Sequence, residues 1–231
     1  MCELFGLSCN EKDRAVISLP LFSRYSEKNW HGWGVAYYKG NKAKIEKQAK
    51  RAAISEKFWR TTENAISNIV IAHLRLASNG KACDRNCHPF RYQYLERDWI
   101  FAHNGTLNID YESRVGSDID STRAFTFIID KIAEYRKSGV IKGLYPAVVH
   151  ATKKLLESYD GTLNYLLSDG QILYAFCNHR RMHYLRREKD YGGAILISTQ
   201  RLTHERWINI PKNRLFLVSK GEIIVLSDPI F

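Results

Sequence analysis

Apolar and polar positions alternate, cluster and fade along the chain in a way that predicts strands, then a pair of helices, then strands again. Residues 2–8 open with a short apolar run carrying Leu4, Phe5 and Leu7, which predicts a buried strand. Residues 9–29 are polar and irregular, with a short helix expected around 14–19 and interrupted by Pro20. His31-Gly32-Trp33-Gly34-Val35-Ala36-Tyr37-Tyr38 reads as a glycine-led strand, Lys39-Gly40-Asn41 as a hairpin turn, and residues 42–48 as the returning strand. Ser55 can cap a helix reaching about residue 67, and residues 69–74 are compact and apolar, as a buried strand is. Residues 76–98, with turn signals at Ser78-Asn79-Gly80 and His88-Pro89, read as a long polar loop of the kind that often carries function. A strand resumes over 99–103 and is expected to end at Asn104-Gly105.

Phe125, Ile128, Ile129, Ile132 and Ala133 recur at helical spacing behind Ser117 or Asp118 as cap, predicting a helix over 119–137. Leu144, Val148, Ala151 and Leu155 predict a second helix over 144–158. Strand patterns then follow at 161–168, 171–177, 182–187, 194–198 and 214–226, with tight turns at Ser168-Asp169-Gly170 and Lys220-Gly221 that favour antiparallel hairpins. The order implies an α+β fold in which two antiparallel sheets pack together with helices outside. No internal repeat or low-complexity linker divides the chain, so residues 1–231 are read as a single domain.

Composition narrows the classes. The 231 residues can bury a substantial core, and 45% hydrophobic with 26% charged residues is ordinary for a globular protein. No run approaches the roughly 18–20 apolar residues of a membrane span, and no basic-then-apolar secretory signal stands at the start. A cytoplasmic protein without a membrane partner is expected. Five cysteines (Cys2, Cys9, Cys83, Cys87, Cys177) are an odd, sparse set without a disulfide framework, as in a reducing compartment. A net charge of +11 can attract nucleic acid. The basic residues are scattered, however, apart from Lys42-Lys44-Lys47-Lys50-Arg51 and His179-Arg180-Arg181, and no nucleic-acid motif accompanies them. A solvated basic surface is the reading they favour, with an acidic substrate or partner as a further one.

Chemistry collects in a few short stretches. Cysteine is small enough for the initiator methionine before it to be removed, which would leave Cys2 with a thiol (pKa ~8.5) and a free α-amine (pKa ~7.7–8.0) on one Cα. One residue would then supply both nucleophile and general base. In Ile71-Ala72-His73-Leu74-Arg75-Leu76-Ala77-Ser78, Arg75 stands at the mouth of a buried strand, where a guanidinium can hold a carboxylate through two parallel bonds or simply reach solvent. In Phe101-Ala102-His103-Asn104-Gly105, a side-chain amide and a glycine N–H can together donate to an oxyanion, although Asn-Gly is also the commonest hairpin turn. Asp120, in Gly116-Ser117-Asp118-Ile119-Asp120-Ser121, can bind an ammonium group or serve as a helix-terminal carboxylate. His88-Pro89-Phe90 is taken to shape the loop. Cys83, Cys87 and His88 lack a fourth ligand, and no metal site or cofactor is read.

Taken together and in this order, these motifs resemble the glutaminase domain of class II glutamine amidotransferases, within the N-terminal-nucleophile hydrolases. Ser198-Thr199-Gln200-Arg201-Leu202-Thr203 and Trp207 are similar to small stand-alone members, so the resemblance covers essentially the whole chain. It implies a four-layer αββα sandwich, Cys2 as nucleophile on the γ-amide of glutamine, and Asn104 with Gly105 as oxyanion hole. Arg75 would hold the substrate α-carboxylate and Asp120 its α-ammonium, with Ser78 as a further contact. Ammonia and glutamate would be released through a γ-glutamyl thioester. The substrate would be glutamine or another γ-glutamyl compound, a separate synthase could accept the ammonia, and homo-oligomerisation is left open. The alternatives are a γ-glutamyl peptide or conjugate hydrolase on the same scaffold, and a non-catalytic binding protein that uses the basic surface. The chain departs from the family pattern at His31, where acidic residues are usual, at Ile119 and Thr122, where Thr and Glu are common, and at Leu76, where larger members have tryptophan.

Overall fold

The computed structural model describes residues 2–13, 15–77, 80–139, 143–188 and 193–230. One sheet contains β1 (Glu3–Asp13), β2 (Gly32–Lys39), β3 (Lys42–Gln48) and β4 (Ser67–Arg75), together with β9 (His183–Arg187), β10 (Ala194–Ser198) and β11 (Ile208–Asn209). Its order is β11-β9-β10-β1-β4-β2-β3. The other contains β5 (Phe90–Tyr94), β6 (Arg97–Leu107), β7 (Gly161–Ser168), β8 (Leu173–Cys177), β12 (Leu215–Ser219) and β13 (Glu222–Leu226), in the order β13-β12-β8-β7-β6-β5. Both sheets are antiparallel at every described pairing.

The period-2 alternation of each strand makes the layers. On β1, Phe5 and Leu7 point outward to Leu19 and Phe22 of α1 (Ser18–Ser23) and Phe58 of α2 (Glu56–Asn64). Leu4, Ala36 and Ile71 point inward to Ile100, Ala102 and Leu166 of the other sheet. Phe101, Tyr165 and Phe176 point out again, to Phe125 and Ile128 of α3 (Asp120–Lys137) and Val148 and Ala151 of α4 (Leu144–Ser158). Helices, sheet, sheet and helices are thus held by three apolar layers, in which each fully buried Phe or Leu contributes about 1.5–3 kcal/mol. This is the expected α+β sandwich. No described helix is long and apolar enough to cross a membrane.

Several elements differ from the sequence reading. β6 continues through Asn104-Gly105 to Leu107 because β7 pairs with it residue for residue, so this Asn-Gly is a strand segment and not a turn. Pro20 lies in the first turn of α1, where its missing N–H costs nothing, and the helix runs past it. The loop 76–98 contains a 3₁₀ turn (Asp84–Asn86) and strand β5, which pairs with β6. α2 is capped by Ser55 Oγ, which accepts from Phe58 N–H (3.2 Å), but ends at Asn64 so that Ser67 can open β4. At α3 neither Ser117 nor Asp118 caps; the Thr122 hydroxyl accepts from Ile119 N–H (3.2 Å) instead. Ser78 lies outside the described residues.

Candidate active site

Strand register assembles the site. β1 and β4 run antiparallel with Glu3 opposite Leu74 and Leu4 opposite His73, so one further step sets Cys2 beside Arg75. The Cys2 sulfur accepts from Leu76 N–H (3.2 Å) and lies 3.3 Å from the Leu76 carbonyl. From the second sheet, Asn104 faces inward like Ala102 and donates through Nδ2 to the Cys2 carbonyl at 2.5 Å. Cys2, Arg75, Gly105 and Asp120 share one cavity of about 20 Å³, walled also by Ala77 and His88. A wider cleft of about 680 Å³ around Asn10, Arg186 and Lys220 lies at the other end of β1, roughly 25 Å away along the strand, and contains none of the predicted site residues.

Gly105 is required by its backbone. It has φ +153°, and a Cβ there would stand 2.1 Å from the Thr162 carbonyl oxygen. Its N–H direction follows from the neighbouring strand. Leu163, opposite Gly105, gives its N–H to Asn178 Oδ1 (2.8 Å) and takes Asn178 N–H on its carbonyl (3.1 Å). The Gly105–Leu163 pair therefore exchanges no backbone bonds, and the Gly105 N–H points away from β7. On that side β5 has already ended, its last pair being Phe90 with Phe101.

Arg75 is buried and donates to the carbonyls of Lys81 (3.2 Å) and Gly80 (3.3 Å). Asp120 opens α3, where the helix dipole favours a carboxylate; its oxygens accept from Leu107 N–H (3.0 Å) and Ser121 N–H (2.9 Å). His103 faces the other way from Asn104, toward α3. Its Nε2–H can donate to the Thr162 carbonyl (3.2 Å) while Nδ1 accepts from the Ser121 hydroxyl (2.9 Å). His31, the departure from the usual acidic residue, does an acceptor's work: Ala77 N–H donates to its Nδ1 at 2.8 Å. Asp118 is exposed and paired with Arg123 (2.8 Å), outside the cavity. The Gly-Trp-Gly segment is explained by close approach, since a Cβ on Gly34 would meet the His88 carbonyl oxygen at 2.0 Å. No group of three or more candidate metal ligands occurs among the described residues.

Electrostatics distinguishes Cys2 by position and not by acidity. Burial raises its thiol pKa, opposed by the Leu76 N–H and the Arg75 charge. Burial likewise pushes Cys9 up to about 12, and Cys87 and Cys177 to about 11. Cys2 is the described cysteine that lines the cavity. Its pKa requires a base close by for nucleophilic work. Burial also holds His73 down at about 3 and His88 well below the ordinary histidine value. Neither ring has a nitrogen at hydrogen-bonding geometry, and the two rings lie 4.3 Å apart beside Arg75.

Sequence reasoning missed a second set of residues around Cys2. Arg180 donates to the Cys2 carbonyl (3.0 Å) and to Glu3 (2.9 Å), and Glu3 also accepts from Thr199 and Gln200. Arg180 was legible only as part of a basic cluster, and Glu3 only as part of the opening motif. Their contact spans 177 positions and nothing local announces it.

The same architecture occurs in solved structures. A predicted glutamine amidotransferase from Pseudomonas aeruginosa PA01 matches with a TM-score of 0.70 and 22% identity over 97% of this chain and 100% of that one. Glutamine phosphoribosylpyrophosphate amidotransferase from Bacillus subtilis matches with a TM-score of 0.72 and 14% identity, over all of this chain and 49% of that one. These likenesses show that the two-sheet sandwich between helical layers is a fold shared with those structures. In sequence, the uncharacterized protein MJ1515 of Methanocaldococcus jannaschii is 30% identical over 97% of this chain and 71% of its own length. YafJ of Escherichia coli (strain K12), named for the glutamine amidotransferases, is 29% identical over 85% of this chain and 80% of its own. The model of the class-II glutamine amidotransferases matches residues 1–197, and the chain belongs to that family.

Proposed function

We propose that residues 1–231 work as one domain that cleaves the γ-amide of glutamine, with Cys2 as nucleophile once Met1 has been removed. The freed α-amine takes the thiol proton, and the thiolate attacks the γ-carbonyl. Negative charge develops on the carbonyl oxygen, which accepts from the second N–H of Asn104 Nδ2 and from Gly105 N–H. The proton returns to the leaving ammonia, and water then hydrolyses the γ-glutamyl thioester to glutamate. Arg75 holds the substrate α-carboxylate and Asp120 the α-ammonium, with Ser78 as a further contact. The observation that carries this reading is the shared cavity of Cys2, Arg75, Gly105 and Asp120, with Asn104 bonded to the Cys2 carbonyl from the facing sheet. A cavity of about 20 Å³ holds roughly one water, so binding glutamine requires the cavity to widen. The ammonia would pass to water or to a separate synthase.

Mass spectrometry should find the chain without Met1 and, after 6-diazo-5-oxonorleucine, a single adduct on Cys2 that Cys2→Ala abolishes. Glutamate release from glutamine should disappear in the same variant. A retained Met1, or labelling at another residue, would refute the reading. Glutamate release from γ-glutamyl peptides in preference to glutamine would keep the mechanism and change the substrate.

A further inference from the structure

We propose that Arg180 is the positioning residue of the nucleophile. The inference rests on the reading of Cys2 as nucleophile and adds a residue to it from the far end of the chain. The Arg180 guanidinium reaches two oxygens of the opening segment in fork geometry: Nη1 donates to the Cys2 carbonyl (3.0 Å) and Nη2 to Glu3 Oε1 (2.9 Å). The Cys2 carbonyl therefore receives two donors, Arg180 and Asn104. Two fixed donors on one carbonyl set the plane of the peptide after Cys2, and with it the directions of the sulfur and the amine on the same Cα. They also set the Asn104 amide, one of whose N–H groups is committed to this oxygen.

Arg180 is itself mounted rigidly. Asn164, fully buried, donates through Nδ2 to the Arg180 carbonyl (2.7 Å) and accepts on Oδ1 from the N–H groups of His179 and Arg180 (3.3 Å each). Asn164 lies directly opposite Asn104 in the β6–β7 register. The oxyanion-hole amide and the clamp on the nucleophile thus hang from one pair of facing residues, and strand pairing fixes their separation. At the other end, buried Glu3 is held by Arg180, by the Thr199 hydroxyl (2.5 Å) and by Gln200 Nε2 (3.0 Å). Thr199 Oγ1 in turn accepts from Leu4 N–H (3.0 Å). Every group in this chain leads to the backbone of residues 2–4. Arg180 touches no substrate in this arrangement; it acts through Cys2.

The test uses the full chain with glutamine kinetics and the rate of Cys2 modification by 6-diazo-5-oxonorleucine. Arg180→Met should lower kcat and the modification rate by about tenfold to a hundredfold, the scale of a misplaced reacting group, with KM changed less than about twofold. Removing the cation also leaves Glu3 as a buried unpaired charge, so Arg180→Met can fail by unfolding. The double variant Arg180→Met/Glu3→Gln removes that charge and should recover the melting temperature while the modification rate stays low. Arg180→Lys, a point charge without the fork, should fall between wild type and Arg180→Met. Full recovery of the rate in the double variant, or an unchanged rate in Arg180→Met, would overturn the proposal and reduce Arg180 to a counter-ion. Failure of the wild-type chain to be modified at Cys2 would overturn the nucleophile reading itself, and this inference with it.

Discussion

Asn104 donates to the carbonyl of Cys2 from the opposite sheet, 102 residues away, at 2.5 Å. The contact fixes the proposed hole donor and the proposed nucleophile relative to each other, and it depends on the spacing between two sheets. That spacing is set by Leu4, Ile71, Ala102 and Leu166, all buried between them. Core packing and site geometry are therefore one property here.

Asn104→Ala removes both the proposed donor to the developing oxyanion and the bond to Cys2. The kcat for glutamate release should fall by about 10²–10³, as on loss of one oxyanion-hole donor, with a small change in KM. Steady-state kinetics checks this, and a loss confined to KM would contradict the hole assignment.

Gly105→Ala has a different signature. The new Cβ would stand 2.1 Å from the Thr162 carbonyl oxygen at a φ of +153°. Strain and overpacking together should cost on the order of 2–4 kcal/mol, seen as a lower denaturation midpoint. Wild-type stability in this variant would mean that the strand pairing relaxes easily there.

Arg75→Lys keeps the charge but gives up the two-pronged grip proposed for the substrate carboxylate. KM for glutamine should rise at least about tenfold, with kcat affected less. Asp120→Asn should act on the same parameter, because its carboxylate is proposed to meet the substrate ammonium. A pair of variants that change kcat alone would place the substrate head elsewhere.

Acid should destabilise the fold through its buried histidines. Burial holds His73 at about 3 and His88 well below the ordinary value. Unfolded, each binds a proton as pH falls through ~6.5, while the folded rings stay neutral. The unfolded state therefore takes up more protons, and stability drops as pH falls from about 6.5 toward 3, by up to about 1.4 kcal/mol per pH unit per histidine. Above pH ~6.5 both states are neutral at these rings and the effect vanishes. Urea midpoints across that range measure the slope, and His73→Gln should flatten it. An unchanged midpoint from pH 7 to pH 4 would contradict the burial argument.

Much of this protein could be read from local pattern. The alternation in β1, β2 and β7 and the helical spacing of α3 and α4 are written in adjacent residues, because side-chain periodicity reports which face is buried. The spacing of Cys2, Arg75, Asn104, Gly105 and Asp120 was likewise legible as a series of short motifs. What the chain alone did not disclose depends on pairing across space. Asn104-Gly105 has the local chemistry of a turn, and only the partner strand β7 holds it extended and turns the Gly105 N–H away from itself. Strand β5 does carry a local signal, since Phe90, Tyr92 and Tyr94 alternate with Arg91 and Gln93, but the turn residues before it made the whole stretch read as a loop. Arg180 and Glu3 meet across 177 positions. A salt bridge between distant residues leaves no periodic trace in sequence, so the tertiary fold alone decided that this arginine, among so many basic residues, stands at Cys2.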